Sequence, residues 1–151
     1  EEIRTELYSE GYLKLKTSSK KVKAIEASAP MQFISSDNIT ILVGKNNKQN
    51  DELTTKLSSP DDIWLHTKDI PGSHVIIKAT LDTVTNQTLE EAAELAAYFS
   101  KARMSSKVAV DYTARKNVKK PSGAKPGMVI YDNQITVFVN PDEEKVVKLR
   151  A

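Results

Sequence analysis

Residues 115–127, RKNVKKPSGAKPG, carry five cations and no acid, interrupted by two prolines and two glycines. Ammonium and guanidinium groups at that density suit phosphate oxygens, which lysine meets as a point charge and arginine as a planar fork. Pro121 and Pro126 restrict φ, while Gly123 and Gly127 permit tight turns and close approach of the backbone to a partner. The segment reads as a partly fixed array of Arg115, Lys116, Lys119, Lys120 and Lys125 whose backbone N–H groups also face outward for an anion. Tyr112 and Tyr131 flank it, placed either to stack a base or to sit half-buried in strands. A second run, Gly44-Lys45-Asn46-Asn47-Lys48-Gln49-Asn50, offers amides and lysines without one carboxylate. Its amides suit base edges, although Asn46 or Asn47 equally suits the cap of the helix that follows.

Catalytic chemistry has less to work with. The two histidines, His66 and His74, bracket the loop TKDIPGS, with Asp61, Asp62 and Asp69 nearby and Gly72 in its turn. A metal site would need a third convergent ligand. The order Asp61-Asp62 followed by Lys78 only loosely resembles a nuclease arrangement of carboxylates and lysine. The histidines therefore read as hydrogen-bonded structural or RNA-facing residues, with no metal and no cofactor expected. No serine stands in a nucleophile-elbow context and no GxxxxGK phosphate loop occurs. Recognition, not catalysis, is the expectation.

Over 151 residues the net charge is only +2, which by itself does not announce a polyanion partner. The distribution does: residues 101–131 hold eight Lys/Arg and one acid, so the remainder is acidic overall. A chain so polarised presents one face to an anion. There is no cysteine, which removes disulfides, thiolate-zinc sites and thiol catalysis and fits a reducing compartment such as the cytoplasm. No apolar run approaches the ~18–20 residues of a membrane span.

The elements that must position these groups follow from periodicity. Residues 1–13 read as the last turns of a helix, with Ile3 and Leu7 one turn apart and Gly11 as its cap. Residues 14–30 read as a basic linker. QFISSDNITILVG is a hairpin about Ser36-Asp37-Asn38. Asn47 to Leu57 suits a polar helix with Leu53 and Leu57 on its apolar side. Residues 62–66 and 74–78 are strand-like. Thr88 to Arg103 is the clearest helix, with a capping box of Thr88 and Glu91, a stripe of Leu89, Ala92, Ala93, Ala96 and Phe99, and Lys101 and Arg103 at its basic end. Lys107–Tyr112 alternates as a strand. Met128–Tyr131 and Ile135–Val139 are expected to pair as a second hairpin across Asp132-Asn133, and a short helix with Val146, Val147 and Leu149 follows Pro141. The sum is an α+β fold: a mainly antiparallel sheet of two or more hairpins packed by an alanine-rich helix.

Two long stretches carry a family resemblance: GKNNKQNDELTTKLSSPDDIWLHTKDIPGSHVII at 44–77 and VDYTARKNVKKPSGAKPGMVIYDNQITVFVNPDEE at 110–144. They resemble the NFACT-R domain, the C-terminal part of bacterial proteins labelled fibronectin-binding, whose relatives form the Rqc2/NEMF/RqcH group of ribosome-associated quality control. On that resemblance residues 31–151 are the RNA-binding domain, 1–13 the end of a coiled coil and 14–30 its lysine-rich linker. It implies binding of tRNA and of the large (50S) ribosomal subunit, alanine tailing of stalled chains by the full-length protein, and the N-terminal NFACT domains as partners. The positions in matching motifs are Gly44, Asn47, Gln49, Asn50, Trp64, His66, Gly72, His74, Lys119, Lys120, Pro121, Gly123 and Gly127. The competing expectations are a fibronectin-binding adhesin module and a metal-dependent nuclease.

Overall fold

The computed structural model describes residues 29–151. The expected helix end at 1–13 and nearly all of the 14–30 linker lie outside the described residues. β1 (Met31–Ile34) and β2 (Thr40–Val43) form the first hairpin, with Asn38 at φ 67° in its turn, where a short amide side chain tolerates the left-handed region. β3 (Ile63–Thr67), β4 (Val75–Ile77), β5 (Val108–Ala114) and β8 (Ile135–Val139) complete a six-stranded sheet of order β1-β2-β4-β3-β5-β8, every pair antiparallel. β6 (Val118–Lys119) and β7 (Ile130–Tyr131) form a separate two-stranded ribbon. The α+β expectation holds.

Alternation on β5 assigns the two faces of the sheet. Val108, Val110 and Tyr112 turn toward α2 (Asn86–Tyr98) and α3 (Glu143–Leu149), in a core that also holds Phe33, Ile41, Ile63, Leu65, Val75 and Ile77. On the opposite face Trp64 and Ile76 are covered by Leu53 and Val118, with Val129 and Tyr131 packed alongside. Both faces are therefore roofed: one by helices, the other by α1 (Asn47–Glu52) with its continuation and by the ribbon.

Ala92, Ala93, Ala96 and Ala97 on α2 are fully buried, because small side chains let the helix backbone sit close to the sheet. Ala96→Leu is expected to overpack this contact and lower stability by roughly 1–3 kcal/mol, read as a shifted urea midpoint. An unmoved midpoint would mean the contact has slack.

Several local expectations are corrected. The cap of α2 is Thr85, whose hydroxyl accepts from Thr88 N at 3.1 Å, and Thr88 is itself buried, donating to Ser35 Oγ at 2.9 Å. Glu91 is taken by Ser36, whose N–H reaches it at 2.8 Å, so it closes no capping box. The helix ends at Tyr98, which leaves Lys101 and Arg103 beyond its last turn. Arg103 still serves that end: its Nε donates to Tyr98 O at 2.8 Å and its guanidinium lies 4.1 Å from the Tyr98 ring centre. The helix from Asn47 turns into a π-helical segment at Leu53–Leu57, which rotates Leu57 off the apolar side and leaves it 50% exposed. Val147 points to solvent at 64% exposure, while Val146 and Leu149 anchor α3. The expected 128–139 hairpin does not form. Asn133 is left-handed, at φ 56°, but β7 pairs with β6 while β8 takes the edge of β5.

Candidate nucleic-acid interface

The two polar surfaces nominated separately by the sequence meet in the fold. Asn46 is the helix cap, its Oδ1 accepting from Gln49 N at 2.9 Å, and Asn47 is left exposed on the first turn of α1. Gln49 and Asn50 turn inward. Gln49 Oε1 accepts from Lys45 N at 2.8 Å, and its Nε2 donates to Ala29 O at 3.3 Å. Asn50 Oδ1 accepts from His74 N at 3.1 Å. On the next residue, Asp51 Oδ1 accepts from Gly127 N at 2.8 Å and the carboxylate pairs with Lys120 at 3.2 Å. Lys120 Nζ also donates to Lys125 O at 2.7 Å.

His74 closes this network. Its Nδ1 lies 2.7 Å from Thr54 Oγ1 and its Nε2 3.1 Å from Gly127 O. One neutral tautomer satisfies both: Nε2–H donates to the carbonyl, and Nδ1 accepts from the hydroxyl. Burial, helped by the neighbouring His66, pulls the His74 pKa down to about 4 against the opposing pull of the Gly127 carbonyl. The cationic loop is thus fastened at Gly127 from both sides, by Asp51 on the N–H and His74 on the C=O. Gly123 and Gly127 have φ of 78° and 85°, and a side chain at Gly127 would lie 2.9 Å from Asn47 Oδ1. The loop therefore touches the amide run directly.

The five loop cations divide by role. Arg115 is half-buried; its Nε donates to Thr54 O and its N–H to Asp62 O at 2.7 Å, so it braces the π-helical segment. Lys116 pairs with Asp61 at 3.4 Å, both exposed. Lys120 fastens the loop. Lys119 and Lys125 stand exposed with no ion pair among the described residues. Pro121 is exposed in the turn between them. The flanking tyrosines face opposite ways. Tyr112 packs against the helix side, and Tyr131 donates to buried Asp111 Oδ2 at 2.7 Å on the other. Burial and that carboxylate raise the Tyr131 phenol well above its ordinary range.

Beside Asn47 opens a cleft of about 420 Å³. Lys45, Lys101 and Arg103 line it together with Asn46, Asn47, Ser73 and Ser100, and no carboxylate of the described residues does. Its floor is the contact of Gly72 with Ser100, where Ser73 N donates to Phe99 O and Lys101 N to Pro71 O, each at 3.0 Å. Gly72 is needed there for space, since a Cβ would lie 2.7 Å from Ser100 Cβ. Lys101, Arg103, Ser73 and Ser100 were not singled out as binding residues from the sequence. Only the basic stretch after α2 hinted at the first two, and a contact between residues 72 and 100 has no local signal.

The nuclease grouping is not assembled. Asp62 pairs with Lys78 at 2.7 Å and Asp61 with Lys116, whereas the rings of His66 and His74 meet each other, 5.5 Å between centres. His66 Nδ1 lies 2.6 Å from Thr67 O, and burial lowers its pKa despite the carbonyls of Thr67 and Gly72. No group of three metal-ligating side chains gathers among the described residues. No helix among them is long and apolar enough to cross a membrane.

Comparison with known proteins follows the same outline. Residues 30–133 match the family model described as the NFACT protein RNA binding domain. The chain is 53% identical over 150 residues to the Rqc2 homolog RqcH of Bacillus subtilis, covering 99% of this chain and 26% of that protein. It is 48% identical over 151 residues to the Rqc2 homolog RqcH of Streptococcus suis, covering 99% of this chain and 27% of the relative. The chain thus spans about a quarter of the length of these relatives. Among solved structures, the C-terminal part of the fibronectin/fibrinogen-binding protein from Streptococcus suis superposes with a TM-score of 0.78 at 48% identity, over 82% of this chain and 49% of that one. With the matched segment spanning both cationic surfaces, the chain belongs to the family of NFACT protein RNA-binding domains.

Proposed function

We propose that the basic cleft and the adjoining Lys119–Gly127 loop form one phosphate-binding track, through which the domain holds RNA without catalysing a reaction. The observation that carries this reading is the convergence of Lys45, Lys101 and Arg103 with the exposed Asn46 and Asn47 on one cleft, with the fastened loop at its rim. Charges aligned in this way bind phosphate and give no base preference of their own. The likeness to relatives named Rqc2 homolog RqcH supports a place in ribosome-associated quality control, and a cytoplasmic setting is part of the same proposal. There the domain would contact tRNA or the large ribosomal subunit while the full-length protein promotes alanine tailing.

The test is binding of labelled tRNA and of 50S subunits across a range of salt. Lys45→Ala, Lys101→Ala and Arg103→Ala together are expected to weaken binding and to reduce the slope of log K against log salt by roughly 2–3 in magnitude. Lys119→Ala with Lys125→Ala should remove a smaller share, roughly 1–2. Unchanged affinity and slope in both variants would defeat the proposal. The Streptococcus suis structure, described as fibronectin/fibrinogen-binding, supports a second reading as a matrix-protein module. Saturable fibronectin binding that survives all five substitutions, with no RNA binding by the parent, would favour it.

A further inference from the structure

On the ribbon side of the sheet lie polar atoms that the phosphate track does not use. Trp64, the only tryptophan of the sequence, is fully buried on β3, and its Nε1–H has no hydrogen-bond partner among the described residues. Buried donors are seldom left unsatisfied, because each orphan forfeits the bond that water would have given it. Trp64 lines a cavity of about 190 Å³ with His66, Asp69, His74, Gly127 and Tyr131. That is smaller than the roughly 300–1,000 Å³ of pockets for drug-sized ligands and suits one planar ring system. The walls are aromatic: the His66 ring lies nearly parallel to Trp64, at 7° and 5.8 Å, and Tyr131 is centred 4.7 Å from it.

The hydrogen-bonding capacity left on these walls is narrow. Both nitrogens of His74 are engaged, His66 Nδ1 is spent on Thr67 O, and the Tyr131 hydroxyl is spent on Asp111. What remains on the side chains is one buried donor, Trp64 Nε1–H, the Nε2 of His66, and one carboxylate, the exposed Asp69, which has no hydrogen bond or ion pair among the described residues. The geometry points to a site for a single unpaired guanine base, stacked on the aromatic walls, with Trp64 Nε1–H donating to a ring acceptor and Asp69 accepting from N1–H and N2–H. Guanine is selected because its N1–H and N2–H lie side by side and fill both oxygens of a carboxylate. Adenine and cytosine offer one amino group, and uracil one imino group. Flipped or unpaired bases are commonly read in this way, by stacking plus bonds to the Watson–Crick edge.

Gly127 joins this cavity to the phosphate track, since it lines the one and touches Asn47 in the other. The inference therefore rests on the RNA-binding reading, to which it adds sequence preference. Trp64 emission reports on the site directly. Titration with GMP is expected to quench it saturably, with a dissociation constant at least about tenfold below those of AMP, CMP and UMP, each pair of good hydrogen bonds being worth about that much discrimination. Guanosine should match GMP in that preference. Asp69→Asn should abolish it while leaving the fold intact, because Asp69 sits at φ 57°, a conformation asparagine also adopts. Equal quenching by all four nucleotides, no quenching, or binding of GMP but not guanosine would each overturn the assignment. RNA that binds with the expected salt slope yet leaves Trp64 emission indifferent to guanine would refute the pocket alone. Absence of RNA binding would refute the track, and the GMP titration would still decide the pocket.

Discussion

Replacing Gly44 by alanine is expected to destabilise the domain by roughly 2–5 kcal/mol, its added methyl meeting a closer neighbour than at any other described glycine. Gly44 does not lie in the left-handed region, so conformational freedom is not the reason for glycine. Space is the reason: a Cβ there would stand 2.0 Å from Asn50 Oδ1 and 3.1 Å from Asn50 N. Asn50 would have to swing away from His74, leaving the buried His74 N–H without its acceptor. An unsatisfied buried amide costs about 1–3 kcal/mol, and overpacking adds about as much. Denaturant unfolding of Gly44→Ala, Asn50→Ala and the double variant checks this. If the clash acts through the Asn50 side chain, the double variant should lose far less than the sum of the singles. Additive losses would place the damage elsewhere.

The second large effect is on stability against acid. His74 is neutral in the folded domain, with its pKa lowered to about 4, whereas an unfolded chain binds the same proton near 6.5. The folded state therefore has its full stability above about pH 6.5 and loses it as pH falls toward 4, since between those values the unfolded chain binds the proton and the folded one largely does not. From a shift of this size, unfolding at pH 5 should require about 2 kcal/mol less than at pH 7.5, and about 3 kcal/mol less by pH 4. His66, also lowered by burial, acts in the same direction. In His74→Gln the dependence between pH 7.5 and 5 should shrink to the share left by His66, since the larger titrating group is gone while a donor for Gly127 O is kept. A parent curve already flat over that range would contradict the buried neutral imidazole.

Much of the fold could be read locally. The β1–β2 turn announces itself in Ser36-Asp37-Asn38, and the alanines of α2 announce close packing. What could not be read were partners. Asp132-Asn133 correctly signals a turn, but alternation in 128–131 and 135–139 tells which face each residue takes, not which strand lies alongside. The Thr88/Glu91 spacing fits a capping box, yet Ser36, far away in sequence, offers Glu91 two donors, and Thr85 caps instead. The candidate site shows the same division. Charge density marked the loop, and the family motifs marked Gly44, Asn50, His74 and Gly127, but nothing in the sequence says that these four form one connected structure. Lys120 and Arg115 look identical in kind to Lys119 and Lys125 until the fold gives the first two something to hold.

β8 closes the sheet at one end with nothing paired to its outer side among the described residues. Its sequence, ITVFV, has no charge and no proline, and Phe138 is 69% exposed and Ile135 53%. The consequence is colloidal: an open apolar edge of this kind is a template onto which another extended chain can add. Concentrated solutions of the domain should meet their solubility limit through this strand, on the flank of the sheet away from the β1–β2 hairpin.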